Sequence, residues 1–347
     1  MNKKIGLFWL RDDFRITKNH GLIEATKNHE QVIVFYLYKY DAYKDQEAQK
    51  WWLSKSLLNF QKKLSSININ LEIVETNSFK IFFDKLLKKK DFSIYWNKVY
   101  EPDYLKFDEY LSSSLKKKLI DFKIFKGNAL NEIYEIKKND GTPFKVFTPF
   151  WRNAEKYYIE KIPQKEKTIK RCKNKINYFK NCIKPEKILP KKKWFKNFEK
   201  IWSPEEQSAL KELQNFIDER ITNYSEGRNF PNIVGTSKLS PFIKFGQIHV
   251  ETIWNECVKK KTKNIGTTKF LAEIGWREFN HSLINHFPHM LKKNYSKKFD
   301  NFPWEKNSKF LNAWKKGLTG YPIVDAGMRE LYYTGWMHNR VRMIVGS

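Results

Sequence analysis

Cysteine is scarce in this chain. The three present, Cys172, Cys182 and Cys257, show neither metal-ligand spacing nor the even, regular pattern of a disulfide framework. A reducing compartment fits that usage, and none of the three stands out as a nucleophile. No run of 18 or more apolar residues exists, so a membrane-spanning helix is excluded, and no apolar stretch with a cleavage-like site opens the chain. The glycine fingerprint of a dinucleotide-binding turn is missing: Gly6 lies in the first apolar run with no second glycine after it, which leaves NAD binding at that turn unsupported. Spacings of the type His281 to His286 have no further ligands around them, so no metal site is expected. Arginine is also sparse, ten of the 66 basic residues.

Positive charge is plentiful. The formal net charge of +28 exceeds what solubility needs and points to a polyanionic partner. The abundance of lysine, asparagine and isoleucine is also what an AT-rich coding sequence produces, so charge supports nucleic acid without specifying it. A chain of 347 residues can bury a large core and form two domains.

Short apolar runs at Ile5–Leu10, Val32–Tyr38, Ile69–Val74, Phe92–Trp96 and Phe122–Phe125 alternate with helical stretches at Trp51–Leu64, Phe79–Lys90 and Tyr104–Lys118. That alternation predicts an α/β fold, a five-stranded parallel sheet with flanking helices over residues 1–130. A long connector follows over 131–203. Within it, GTPFKVFTPFWR is rich in phenylalanine and reads as ordered, whereas 161–200 is lysine-rich and reads as a solvated linker. From 204 the pattern is helical. Ser203-Pro204-Glu205-Glu206 supplies a serine cap, a proline at the first position and acids in the first turn. Gly235-Thr236-Ser237 precedes a helical run, so hydroxyls and amides sit where a phosphate would be held.

Two later stretches carry chemistry. FLAEIGWREFNHSL places Glu273, Trp276 and Arg277 at i, i+3 and i+4, on one helix face. In TGYPIVDAGMRELYYTGWMHNRVRM, Val324, Met328 and Leu331 mark a buried helix face, and a break at Thr334-Gly335 follows. Trp336 to Met343 then crowds polar, cationic, aromatic and sulfur side chains together. Such a set is costly in a core and is served well by a large, partly polar ligand.

This last pattern resembles the flavin-binding core of the DNA photolyase and cryptochrome family. The resemblance is closest to members that repair cyclobutane pyrimidine dimers (class I type), and it reaches back through GTSKLSPFIKFG and WREF to FWLRDDFR. It implies an antenna domain at the N-terminus and a C-terminal all-helical FAD-binding domain, 204–347. FAD would be held by Tyr224, Thr236, Ser237, Lys238, Leu239, Ser240, Trp336, Asn339 and Arg342. Glu273, Trp276, Arg277 and Met343 would bind substrate, with Glu273 and Asn339 also catalytic and Trp304 the outer end of an electron relay. Glu101 would touch an antenna chromophore, methenyltetrahydrofolate or deazaflavin. Family members commonly carry Asp-Asn where Lys18-Asn19 stands, so the local salt bridging is expected to differ. Asn339 in place of a second histidine points to cyclobutane dimers over the (6-4) photoproduct.

The implied activity is light-driven repair of ultraviolet-damaged DNA by electron transfer from reduced FAD. The protein is expected to act as a monomer in the cytoplasm, nucleoid-associated when bound to DNA, with no membrane contact. Two alternatives stand beside it: a cryptochrome-like blue-light photoreceptor without repair, and a flavin-free basic DNA-binding protein. The family pattern extends past Ser347, so the helical domain is expected to be truncated and the fragment itself possibly inactive.

Overall fold

Val32–Tyr38 is buried at every residue, and an element covered on both faces needs unbroken apolar sequence and backbone partners on both sides. In the computed structural model, which describes residues 5–161, 168–259, 264–303 and 305–346, those demands are met by a parallel sheet. Its strands are β1 (Ile5–Leu10), β2 (Val32–Tyr38), β3 (Asn70–Glu75), β4 (Phe92–Asn97) and β5 (Phe122–Phe125). Helices α1 (His20–Asn28), α2 (Glu47–Ser65), α3 (Phe79–Leu86) and α4 (Pro102–Lys117) link them, and the spatial order is β5-β4-β1-β2-β3. Register runs Gly6 beside Val32 on one flank of β1 and Ile5 beside Phe92 on the other.

The connector departs from the expected solvated linker. After α5 (Phe147–Lys161), its Cys182–Ile183 forms β6, antiparallel to β3, so the five expected strands gain a sixth. The reason is polar pairing at the sheet margin. The Glu72 carboxylate accepts from the N–H groups of Tyr178 and Phe179 at 2.9 and 2.7 Å, and Asn70 donates to Ile176 O at 2.8 Å. Phe195 and Phe198, on and before α6 (Lys196–Ile201), are buried in the main apolar cluster.

The helical half comprises α7 (Glu206–Glu219), α8 (Tyr224–Gly227), α9 (Ser240–Lys244), α10 (Val250–Lys259), α11 (Ile265–His286), α12 (Ser308–Lys316), α13 (Pro322–Thr334) and α14 (Asn339–Val345). The expected serine cap of α7 is not used. The helix starts at Glu206, with Glu205 at the cap position and no side-chain bond there. The Glu206 carboxylate instead accepts the N–H groups of Ile16 and Thr17, both at 2.9 Å, and burial raises its pKa. No helix among the described residues is long and apolar enough to cross a membrane.

Strand order reverses between β1 and β4, and the crevice at such a switch point is open at the strands' carboxyl ends. Here the helical half fills it. Residues 11–19 after β1 reach across: Phe14 N–H donates to Phe245 O at 3.3 Å and the buried Arg15 guanidinium to Gly246 O at 2.8 Å. The Lys18-Asn19 departure resolves as a change of partner. Lys18 pairs with Glu251 at 3.4 Å, while Asn19 caps α1 through Leu22 N–H. One apolar cluster therefore runs from Phe8 and Trp52 through Phe216 to Phe270 without a break between the halves.

Gly246 sits at φ +64°, and a Cβ there would lie 1.9 Å from the backbone oxygen of Asp12. Gly320, at φ +88°, has nothing within 4 Å of the same atom. Both alanine variants lose the left-handed freedom, worth about 1–2 kcal/mol, but only Gly246→Ala also forces the halves apart. Urea unfolding should show Gly246→Ala less stable than Gly320→Ala by about 1–3 kcal/mol more; equal losses would mean that the interface yields without cost.

Candidate functional site

Three adjoining cavities line the seam between the halves. The first, of about 640 Å³, has walls from the loop before α9, from α8 and α11, and from the turn between α13 and α14. It gathers Tyr224, Thr236, Ser237, Lys238, Leu239, Ser240, Glu273, Trp336, Asn339 and Arg342, ten of the residues expected to hold cofactor or substrate. Trp52, Trp202 and Phe245 complete its apolar side, a contribution from α2, the connector and the end of α9 that the sequence did not reveal.

The loop is shaped from within. Gly235 packs on the backbone of Gly227, where a Cβ would come within 2.4 Å of the carbonyl oxygen. Lys238 takes φ +51°, and Leu239 N–H donates to Ser237 Oγ at 3.4 Å. Helix α9 begins at Ser240 without a side-chain cap, and Pro241 at its second position brings no N–H to the first turn. Lys238 Nζ lies 5.2 Å over the Trp336 ring. Beside it His338 is buried; its Nδ1 accepts from Arg340 N–H at 3.2 Å and its Nε2 has no partner. Burial lowers the His338 pKa, with Arg340 and Arg228 adding to the effect. Tyr224 is pushed up to about 12 by burial and therefore stays a phenol, with the Arg228 guanidinium 5.3 Å over its ring.

Glu273, Trp276 and Arg277 stand on one face of α11 and take different tertiary partners. Glu273 borders the first cavity and pairs with Arg228, a residue that sequence reading passed over although it sits four residues after Tyr224 on adjoining helical turns. Arg277 lines the second cavity, of about 430 Å³, together with Glu273, and pairs with buried Glu278 at 2.9 Å. Trp276 is outside both sets of walls, 42% exposed, with Phe147 stacked on one face at 3.8 Å between centroids and 10° between planes. Met343 is 57% exposed, also outside the cavity wall, 3.7 Å from an Arg340 guanidinium nitrogen. Trp304 lies outside the described residues.

Glu101 lines the third cavity, about 920 Å³, with Tyr43, Phe79, Tyr104 and Phe107. Lys244 borders all three spaces and holds Glu101 at 3.2 Å and Asp12 at 3.4 Å. Asp12, chiefly, raises the Lys244 pKa, so the ammonium stays charged.

His20, His249 and Glu251 bring possible ligand atoms within 4.8 Å of one another, a grouping the sequence did not suggest. Their valences are used otherwise. His249 Nε2 is 3.1 Å from Gly127 O, its Nδ1 accepts Glu251 N–H at 3.1 Å, and the Glu251 carboxylate takes Lys126 at 2.6 Å and Lys18 at 3.4 Å. Two ammonium groups on one carboxylate favour a docking joint over a cation site.

Comparison with known proteins places this geometry. Residues 6–167 match the family model described as DNA photolyase, and 270–347 the one described as FAD binding domain of DNA photolyase. A deoxyribodipyrimidine photo-lyase of Agrobacterium fabrum is 35% identical over 98% of this chain and 72% of its own length. Cryptochrome-2 of Arabidopsis thaliana is 30% identical over the whole of this chain and 59% of its own. A bacterial class III photolyase from Agrobacterium tumefaciens superposes with a TM-score of 0.90, at 33% identity, over 99% of this chain and 72% of that one.

Removal of either partner from the Arg228–Glu273 pair should expose its strength. A double-mutant cycle with Arg228→Met and Glu273→Gln is expected to give a coupling of about 1 kcal/mol in urea unfolding, modest because Glu273 is a third exposed. A coupling indistinguishable from zero would show that Glu273 is not held by Arg228.

Proposed function

Because the chain belongs to the DNA photolyase and cryptochrome family, we propose that it binds FAD in the seam cavity and repairs cyclobutane pyrimidine dimers in DNA under blue or near-ultraviolet light. The observation that carries the reading is the convergence on one cavity of a hydroxyl-bearing loop, three tryptophans and a carboxylate paired with arginine.

The wall chemistry fits the cofactor. Thr236, Ser237 and Ser240 suit a diphosphate; Trp336, Trp52 and Phe245 suit fused rings; Asn339 and Arg342 offer donors. Bound and reduced, FAD supplies the light-driven electron that opens the dimer.

The chain's own residues bind and position. Glu273 presents an acceptor to the extruded bases, and Arg228 fixes its rotamer until substrate arrives. Trp276 offers one free face for stacking while Phe147 backs the other and prevents the ring from rotating away. Arg340, tied to Asn229 at 2.7 Å, and Met343, 57% exposed, lie outside the cavity wall one helical turn apart, where a phosphate and an apolar base edge would meet them. Glu101 and the third cavity are proposed to hold an antenna chromophore, the aromatic side chains there suiting a planar ring. Lys244 is then shared between antenna and cofactor spaces.

A photoreceptor role without repair is the second reading, favoured by the Arabidopsis relative. Glu273 beside a half-exposed tryptophan supports repair, since signalling has no need of a base-stacking platform.

Purified protein reconstituted with FAD should bind it and restore dimer-containing oligonucleotides under illumination. Glu273→Ala should retain flavin and lose most of the repair yield, and unchanged yield would remove Glu273 from the reaction. Trp276→Ala should weaken dimer binding by roughly 1–3 kcal/mol in a filter-binding or anisotropy titration; equal affinity would overturn the stacking role.

A further inference from the structure

Parallel strands all start at one edge of a sheet and all finish at the other, which sorts the loops into two sets. Loops at the finishing edge, residues 11–19, 39–46, 75–78, 98–103 and 126–132, carry seven lysines and arginines against eight carboxylates. Loops at the starting edge are residues 27–31, 62–69, 85–91 and 116–121, joined by connector residues 168–176. These carry fourteen against three. All fourteen are exposed. A lysine-rich composition would load both edges alike, so the segregation belongs to the fold.

The connector is part of this edge by contact. Cys172 N–H donates to Ile67 O at 3.0 Å, Lys173 N–H to Glu30 O at 3.1 Å, and Lys89 Nζ lies 4.4 Å over the Tyr178 ring. Helix dipoles account for cations in a last turn. They do not account for Lys88 to Lys90, which lie past the end of α3 at Leu86, nor for the continuation of the α4 run to Lys118. From β5 to β3 the face spans four strand spacings, roughly 19 Å, a length over which a duplex presents about 11 phosphates. Among the described residues of these loops, Leu119 is the only large exposed apolar side chain, so there is no platform for unstacked bases.

We propose that the starting edge of the sheet is a second nucleic-acid contact, a phosphate-binding face for undamaged duplex DNA. It is separated from the seam cavities by the length of the strands, roughly 20 Å. The contact is sequence-independent and salt-sensitive, and it leaves the cavity mouth free for another segment. The inference goes beyond the repair reading and does not rest on it.

The test substitutes glutamine at Lys88, Lys89, Lys90, Lys116, Lys117 and Lys118 in the whole chain. A control variant of equal charge replaces six exposed lysines taken from 184–200. Circular dichroism confirms folding, and anisotropy measures affinity for an undamaged 30-base-pair duplex across a salt series. If two phosphate contacts are lost, affinity at 0.15 M salt falls about 30-fold and the log–log salt slope drops by about two. The control should lose less than a third of that on the logarithmic scale. Equal losses in both variants, or none in the first, overturn the proposal, as does loss of binding to phosphatidylserine vesicles with duplex affinity intact. Flavin content and preference for damaged DNA should be unchanged in the first variant, and their absence in the parent chain would count against the repair reading alone.

Discussion

Polar backbone left at the switch point of the sheet is the constraint on which the rest depends. Residues 11–19 emerge there from β1, and residues 126–130 emerge from β5 on the far side of β4, with N–H groups and charged side chains that no strand can satisfy. The helical half satisfies them. Glu206 accepts two amides, Glu278 accepts Leu130 N–H at 3.0 Å, and Asn128 spans Ile243 O, Ile248 O and Val250 N–H at 3.0, 3.1 and 2.9 Å. Removal of any one acceptor would strand a buried donor, so the joint is specified strongly by what it would cost to break.

The cavities follow from how that joint is made. Contacts of fixed length hold α9 and α11 at a distance from the carboxyl edge of the sheet, and the side chains between them do not fill the space. Lys244 stands where the three spaces meet, and its two carboxylate partners come from the α/β half. The same lysine therefore closes the seam and sets the sign of the field on both sides of it. His281 lines the second and third cavities and is pushed down to about 3, first by burial and then by Arg277 and Lys244. It is neutral near pH 7, and the cations bordering those spaces are Arg277 and lysines, Lys244 among them.

Strands were legible to within a residue because burial on both faces demands an uninterrupted apolar run, and that demand is written locally. Ten residues of the first cavity were legible for a different reason: they recur in patterns long enough to resemble a family. What escaped was whatever depended on a partner distant in sequence. Residues 161–200 looked like a solvated linker because lysines dominate their composition, yet three polar side chains of α2 and β3 (Ser54, Asn70 and Glu72) bind the backbone there and make it part of the sheet margin. Ser203 looked like a cap because its neighbours fit the pattern, but the helix start is set by Glu206 answering amides nearly two hundred residues away.

Helix α11 shows the limit of periodicity most directly. Positions i, i+3 and i+4 share a face some 100° wide, and within that width three neighbours compete for three side chains. Arg228 takes Glu273, Glu278 takes Arg277 and Phe147 takes Trp276. Glu273 and Arg277 still line the second cavity together, while Trp276 lies at the surface. A group that must reach an extruded base from outside and a group that must meet it from within cannot point the same way, so the divergence of Trp276 from Glu273 is what the proposed chemistry requires of a single helix.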